Sequence, residues 1–326
     1  MITPRLLRRS LRRGLQWRLL VLWWASLLLP SALAAMPALA FLHARLDHSP
    51  RAAQSVASFE GATLIELIRQ LGEPSAAASL GWGAVAAALC ALAFSPFVAG
   101  ATVAAARSDE PLRLGALMAG GGELYGRMLR TLLAGLVPLG LGSAAAAGLF
   151  RLAARANERA TTETAADRNL VLAAIGAALA LFVFQLVVEA ARAQFAADPG
   201  RRSAVLAVCG AVRLLVRRPV RAFAVGAAGA AVAFGGAPLL MALRLQTTQS
   251  GAAAIALAWL LAQGAQLAVG WGRATRIIGL AELSRADAAE RARGQPGRAQ
   301  GAPAGVQVVH SATLSALEPP RSGASR

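Results

Sequence analysis

The sequence contains no lysine, and it has only two cysteines, three histidines and one tyrosine. All 33 basic residues are arginines, against 16 acidic residues, and charged residues make up 15% of the 326 positions. Soluble proteins carry about 25% charged residues, so the composition argues against an ordinary soluble domain. Arginine without lysine in an alanine-rich chain is typical of a GC-rich bacterial genome and does not by itself indicate a nucleic-acid partner.

The scarcity of sulfur and imidazole also limits the chemistry. Cys90 falls in an apolar run and Cys209 in a linker, so we expect no disulfide between them. His43 and His48 are five residues apart, which does not place them on one helical face. There is no phosphate-binding glycine loop, nucleophile elbow or helical pair of histidines. We therefore predict no catalytic residue, no metal and no cofactor, and we favour a protein that is not an enzyme.

What the sequence does have is long apolar runs. Each of six is long enough to cross a hydrocarbon core of about 30 Å at about 1.5 Å per residue. They cover residues 17–40, 81–106, 131–152, 169–188, 220–243 and 252–271. We therefore predict an all-α, polytopic transmembrane helical bundle with six spans and interfacial amphipathic helices.

The arginines alternate between the two sides of the predicted membrane. With the N-terminus inside, 25 of the 33 arginines lie in inner segments and eight in outer ones. We expect the protein to lie in a bacterial inner membrane, and the positive-inside rule then places both termini in the cytoplasm. A nucleic-acid binder would cluster its arginines on one folded domain instead. We expect the inner arginines to contact anionic lipid headgroups, with a membrane protein partner or a second copy of the chain as further candidates.

The termini and one loop differ from the spans. Residues 1–16 form a basic cytoplasmic segment, 17–284 the membrane domain, and 285–326 a tail rich in proline, glycine and serine that we expect to be disordered. A cleaved signal peptide is the alternative for the first apolar run. Between the first two spans, apolar residues from Phe59 to Leu71 recur at helical spacing and predict an amphipathic outer helix.

Two inner linkers have similar sequences. Residues 107–130 and 192–219 each contain a turn with aspartate and proline, an amphipathic stretch and terminal arginines. A duplicated unit of span, interfacial helix and span explains this similarity, and so does a shared solution to re-entering the membrane. In the first linker, Gly120, Gly121 and Gly122 predict a hinge between two short helices.

The second linker carries a resemblance. The segment Glu189-Ala190-Ala191-Arg192, followed by a basic amphipathic linker ending in Arg217-Arg218-Pro219, resembles a diffuse group of uncharacterised bacterial membrane proteins with about six helices. The resemblance covers about thirty residues. It implies the same topology and brings no activity with it.

Polar residues in or beside the spans are the candidates for a functional site. A polar cavity or relay would use Gln185, Glu189 and Arg192 from the fourth span with Gln263 and Gln266 from the sixth. An interfacial ion pair and helix packing are the simpler roles for these residues. We favour a non-enzymatic accessory or scaffold component of envelope or transport machinery. The alternatives are a carrier or channel for a small or lipid-like solute and a lipid enzyme with charged residues at the inner face.

Overall fold

A computed structural model describes residues 4–46, 74–247 and 251–293. The described chain is built from helices, which confirms the predicted all-α bundle. In chain order the helices are α1 (Pro4–Gly14), α2 (Trp17–Leu46), α3 (Pro74–Arg107), α4 (Leu114–Asn157), α5 (Glu163–Ala197), α6 (Ala204–Arg217), α7 (Pro219–Ala230), a π-helical segment (Ala231–Gly236), α8 (Ala237–Gln246) and α9 (Ala252–Arg293).

Among the described residues, six helical stretches are long and apolar enough to cross a membrane, so the chain is an integral, multi-pass membrane protein. Each contains one predicted span, and α7, the π-helical segment and α8 together form the fifth. The helices extend well beyond the apolar runs. For example, α4 has 44 residues, which corresponds to about 66 Å at 1.5 Å per residue. The apolar run predicted within it covers only residues 131–152.

The hinge predicted at Gly120, Gly121 and Gly122 is wrong, since α4 is continuous through all three. At one of these glycines, Gly121, α4 instead packs closely against α3. A Cβ on Gly121 would lie 2.9 Å from the carbonyl oxygen of Phe97 on α3, and one on Gly100 would lie 3.0 Å from the carbonyl oxygen of Gly121. Glycine here removes bulk between α3 and α4, so the two helices can approach closely.

The two similar linkers have different structures. The second contains a separate amphipathic helix, α6, which begins after Ser203 and ends before Pro219. The Ser203 side chain accepts a hydrogen bond from the backbone N–H of Leu206, so it caps α6. The corresponding stretch of the first linker is instead the first part of α4. One linker therefore breaks into a helix of its own, whereas the other is continuous with a span.

Among residues 4–286, the buried residues concentrate at one end of the helical bundle. We call this end the arginine-rich end. It is formed by α1, the α3–α4 and α5–α6 connections, α6 and the part of α9 up to residue 286. Buried residues concentrate there in the stretches 98–106, 186–196 and 274–284. The other halves of the helices are largely exposed, with apolar side chains such as Val137 and Ile175 on their surfaces. That exposure suits contact with lipid.

The remaining predictions on domain limits fall partly outside the described residues. The structure does not describe the predicted outer helix from Phe59 to Leu71 or residues 294–326 of the predicted tail. His48 also lies outside the described residues. The tail was predicted from residue 285, yet α9 continues to Arg293. Arginine, alanine and glutamate in residues 285–293 are compatible with helix, so the loss of apolar density did not end it.

Candidate functional site

Glu189 is a carboxylate in the buried core of the arginine-rich end. It lies on α5, whose N-terminus is capped by Thr162 and whose residues 186–196 are buried. The residue is only 1% exposed. A buried carboxylate is costly unless charged or hydrogen-bonding groups surround it, so its neighbours decide what it does.

The closest partner of Glu189 is Arg276 on α9. The Arg276 Nε lies 3.0 Å from Glu189 Oε2, and the two side chains are 6% and 2% exposed. The angles of this contact do not meet those of a hydrogen bond, so it is a charge–charge contact. One turn earlier on α5, the Gln185 Nε2 donates a hydrogen bond of 3.4 Å to Glu189 Oε1. The carboxylate is thus held from two helices.

Two further arginines interact with the same carboxylate. Arg192 and Arg273 each have an attractive electrostatic interaction with Glu189 and a repulsive one with another arginine of the group. Arg273 also lies over the ring of Trp23 on α2, with Cζ 5.7 Å from the ring centroid, a cation–π contact. Among the described residues, Arg276 thus contacts the carboxylate directly, and Arg192 and Arg273 interact with it electrostatically. We call Glu189, Arg192, Arg273 and Arg276 the Glu189 cluster.

A pair of glycines makes room for this cluster. A Cβ on Gly272 of α9 would lie 2.4 Å from the carbonyl oxygen of Gly229 on α7. A Cβ on Gly229 would lie 2.3 Å from Cγ of Arg276. The backbones of α7 and α9 can therefore approach closely enough for the Arg276 side chain to run along α7, as small residues allow in membrane bundles.

The five predicted site residues fall into two groups. Gln185, Glu189 and Arg192 lie together on α5, next to Arg276. Gln263 instead accepts a hydrogen bond of 2.7 Å from Trp24 Nε1 on α2. It precedes Arg276 by 13 positions along α9, about 20 Å at 1.5 Å per residue.

The fifth residue, Gln266, carries a buried side-chain oxygen. Its Oε1 has no hydrogen-bond partner among the described residues. It lies on α9 between Gln263 and the arginines of the Glu189 cluster. The structure places the predicted α5 residues beside α9 through arginines rather than through the two glutamines, and the polar cavity or relay stays a prediction.

Arg273 and Arg276 are the cluster residues that the sequence analysis missed. Both lie just after the sixth predicted span, so they were counted with the arginines of an inner segment. Their spacing of three residues is the signal that could have found them, because it continues the helical period of α9 and puts both on one face.

Other arginines hold the ends of helices at this end of the bundle. Arg107, the last residue of α3, donates from Nε and Nη2 to the carbonyl oxygen of Phe195 near the end of α5. Arg285 Nη2 donates to the carbonyl oxygens of Ala106 at 2.6 Å and Ala196 at 3.1 Å. The last carbonyls of a helix lack intrahelical donors. Arginine side chains supply them here and join α3, α5 and α9.

A lipid enzyme at the inner face would use the charged residues Arg107, Glu123, Glu189, Arg192 and Asp198. Glu189 and Arg192 belong to the Glu189 cluster, and the others make contacts of their own. Arg107 donates to α5 as described, and it interacts electrostatically with Glu123. Asp198 accepts a hydrogen bond from the backbone N–H of Gly200 and pairs with Arg201 at 3.5 Å. Arg107 therefore connects two helices, and Asp198 stabilises the turn after α5.

No protein-family model, curated protein or solved structure matches this chain. The site must therefore be interpreted from its own geometry. The Glu189 cluster contains one carboxylate and three guanidinium groups, so its formal charge is +2. Such a cluster can fix the mutual positions of α5 and α9, since moving either helix would leave a buried charge without its counterpart, and the cation–π contact of Arg273 adds a link to α2.

Proposed function

We propose that this membrane protein is a non-enzymatic accessory or scaffold component of envelope or transport machinery, located in a bacterial inner membrane with both termini in the cytoplasm. The Glu189 cluster carries the proposal. An ionisable residue buried in a membrane bundle marks either a pathway or a structural centre. Glu189 is neutralised by arginines of its own chain, which favours the structural role.

Polar contacts elsewhere in the bundle support the same conclusion. Trp23 Nε1 donates to Thr102 Oγ1 at 3.1 Å and joins α2 to α3. Gln194 Nε2 donates to Ser284 Oγ at 3.2 Å and joins α5 to α9. Interhelical hydrogen bonds of this kind are worth about 0.6–2 kcal/mol each. A solute could use these groups only by breaking such contacts, so they favour a bundle of fixed geometry.

The apolar surface suits a protein that works through contacts in the membrane. Large side chains are exposed along the halves of the helices away from the arginine-rich end, for example Leu133 and Leu136 on α4 and Leu172 and Leu179 on α5. Lipid or the helices of another membrane protein would cover such faces equally well. The proposed component would combine a fixed arginine-rich end with these apolar faces.

The test is the water accessibility of the interior, measured by thiol labelling in native membranes. In a background with Cys90→Ser and Cys209→Ser, single cysteines replace Gln185, Gln266 or Glu110 and are exposed to a charged, membrane-impermeant maleimide. Thiols react through the thiolate, which requires water. We expect the exposed Glu110 position to react and the two interior positions to react at least about tenfold more slowly.

The same experiment tests the orientation. Labelling of the Glu110 position from the cytoplasmic side alone is expected, since this residue lies in the α3–α4 connection at the arginine-rich end. Reaction of the Gln185 and Gln266 positions at the rate of the Glu110 position would show a water-filled path and would contradict the scaffold proposal. Labelling of Glu110 from outside the cell would contradict the orientation.

A carrier for a lipid-like solute is the second candidate, because an apolar cavity of about 440 Å³ lies between α2, α3 and α4. Its walls include Leu22, Leu29, Phe94 and Met118. Transfer of a fluorescent lipid between the leaflets of proteoliposomes tests this function. The scaffold proposal predicts the rate of protein-free liposomes. A faster rate that Leu29→Trp abolishes by filling the cavity would favour the carrier.

A further inference from the structure

A second arginine group surrounds an open cavity at the arginine-rich end, separate from the Glu189 cluster. The cavity has a volume of about 540 Å³ and lies between α1, the α3–α4 connection and α9. Its walls carry two carboxylates, from Asp109 and Glu282. They also carry five guanidinium groups, from Arg5, Arg9, Arg13, Arg107 and Arg285. The formal charge of the lining side chains is therefore +3.

The ends of two helices reduce this charge. The last carbonyls of α3 and α5 accept hydrogen bonds from Arg107 and Arg285, so both helix C-termini lie against the arginines. A helix C-terminus carries a partial charge of about −0.5. Two of them leave the cavity with a charge of about +2. A ligand with about two negative charges would neutralise it.

The arginines retain hydrogen-bond donors for such a ligand. A guanidinium group has five N–H donors in a planar fork that matches phosphate oxygens. Arg285 uses only Nη2 in its hydrogen bonds to carbonyls. Arg5 makes no hydrogen bond or ion pair with the residues that the structure describes. The side chain of Arg9 pairs with Asp109 at 3.2 Å and with Glu282 at 3.4 Å, yet it is 58% exposed.

The deeper walls of the cavity are already ordered. Arg13 Nη1 pairs with Glu282 Oε1 at 2.9 Å, and both side chains are 12% exposed. Arg13 also donates to the carbonyl oxygens of Ala105 and Ser108. Side chains held in this way lose little conformational freedom when a ligand binds, which lowers the free-energy cost of binding.

The position of α1 suggests the depth of the cavity in the membrane. This helix ends at Gly14 and the first span begins at Trp17, so α1 lies next to the start of the apolar region. The Trp17 side chain is 65% exposed, and the Arg18 guanidinium lies 5.3 Å from its ring centroid. Exposed tryptophan with arginine is typical of the headgroup region. These features favour a depth at which lipid phosphates lie.

From these observations we infer that the cavity binds a phosphate group with about two negative charges, either the monoester headgroup of a lipid such as phosphatidic acid or free inorganic phosphate. The two sources share the chemistry that the arginines recognise. Basic pockets beside membrane helices bind phosphorylated headgroups by the same principle. This inference does not depend on the scaffold proposal, because a carrier with the same cavity would bind the same group.

The test measures binding to the purified full-length protein in neutral detergent micelles. The probes are phosphatidic acid, phosphatidylglycerol, phosphatidylcholine and inorganic phosphate, and the readouts are native mass spectrometry of bound lipid and the thermal midpoint of tryptophan fluorescence. If the lipid is the source, we expect phosphatidic acid to bind about tenfold tighter than phosphatidylglycerol. Inorganic phosphate that binds with the same dependence on the cavity arginines would identify the free ion as the source.

Arg5→Gln is the informative variant, and Arg8→Gln is its matched control. Both residues are exposed on α1, but only Arg5 lines the cavity. A charge-assisted hydrogen bond contributes about 1.5–3 kcal/mol, so Arg5→Gln should weaken binding about tenfold or more. Arg8→Gln should weaken it less than about twofold. Both variants should unfold like the parent protein without ligand.

Three results would overturn the inference. Equal weakening by Arg5→Gln and Arg8→Gln would mean that the probes bind the basic surface without using the cavity. Phosphatidylglycerol binding as tightly as phosphatidic acid would contradict the requirement for two negative charges. Absence of measurable binding of both phosphatidic acid and inorganic phosphate would exclude the site itself.

Discussion

Neutralising Glu189 should destabilise the bundle more than removing any one arginine of its cluster. In Glu189→Gln, Arg276 remains in a site where its side chain is 6% exposed, and Arg192 and Arg273 lose the same counter-charge. Leaving a buried charge without its partner costs about 3–5 kcal/mol. In Arg276→Gln, by contrast, two arginines still neutralise the carboxylate. We expect that variant to lose only about 1–2 kcal/mol.

The assay is thermal unfolding of the purified protein in one detergent, followed by tryptophan fluorescence. A loss of about 4 kcal/mol corresponds to a decrease of about 10 °C in Tm for a protein somewhat larger than a single domain. Glu189→Gln should therefore lower the Tm by at least about twice as much as Arg276→Gln.

The double variant gives the stronger check. Once Glu189 is neutral, Arg276 is a buried cation without its counter-charge, and its removal should restore stability. The double variant should therefore be more stable than Glu189→Gln alone, which is a strong departure from additivity. Equal effects of the two single substitutions that sum in the double variant would falsify the shared-carboxylate interpretation.

Three further perturbations probe the contacts between helices. Glu282→Gln removes the counter-charge that holds α1. If the free energy of local unfolding of α1 falls by about 1.4 kcal/mol, the rate of tryptic cleavage within α1 should rise about tenfold. An unchanged rate would show that α1 is held by apolar contacts alone. Gly272→Ala places a Cβ 2.4 Å from a backbone oxygen of α7 and should lower the Tm. The control Gly140→Ala, with no atom within 4 Å of its Cβ, should leave the Tm equal or higher. Equal effects of the two substitutions would contradict the close approach of α7 and α9. Trp24→Phe removes the donor to Gln263 and should cost about 1 kcal/mol in unfolding measurements, with full stability retained if that hydrogen bond contributes nothing.

The candidate site shows where sequence reasoning succeeds and where it stops. Glu189 could be selected from the sequence because a carboxylate beside an apolar run is rare and costly. The spacing of Arg273 and Arg276 could place them on one face of α9, but their pairing with Glu189 could not be predicted, because they are more than eighty positions away and resemble the other arginines of inner segments. Only the packing of α5 against α9 distinguishes an arginine that pairs with Glu189 from one that faces lipid headgroups or water.

The glycines illustrate a similar limit. Gly120, Gly121 and Gly122 have a local preference for flexibility, from which a hinge was predicted. The structure uses Gly121 to bring α3 close to a continuous α4. Flexibility and close approach give the same sequence signal, because both follow from the absence of a side chain.

The sequence by itself determined the helical membrane class, the number of spans and the alternation of arginines, because each depends on the local free energy of placing apolar or charged groups in a bilayer. Tertiary structure alone decided which arginines close the ends of α3 and α5 and which ones interact with the Glu189 carboxylate. These features depend on contacts between residues distant in the chain, and no local pattern in a single sequence specifies such contacts.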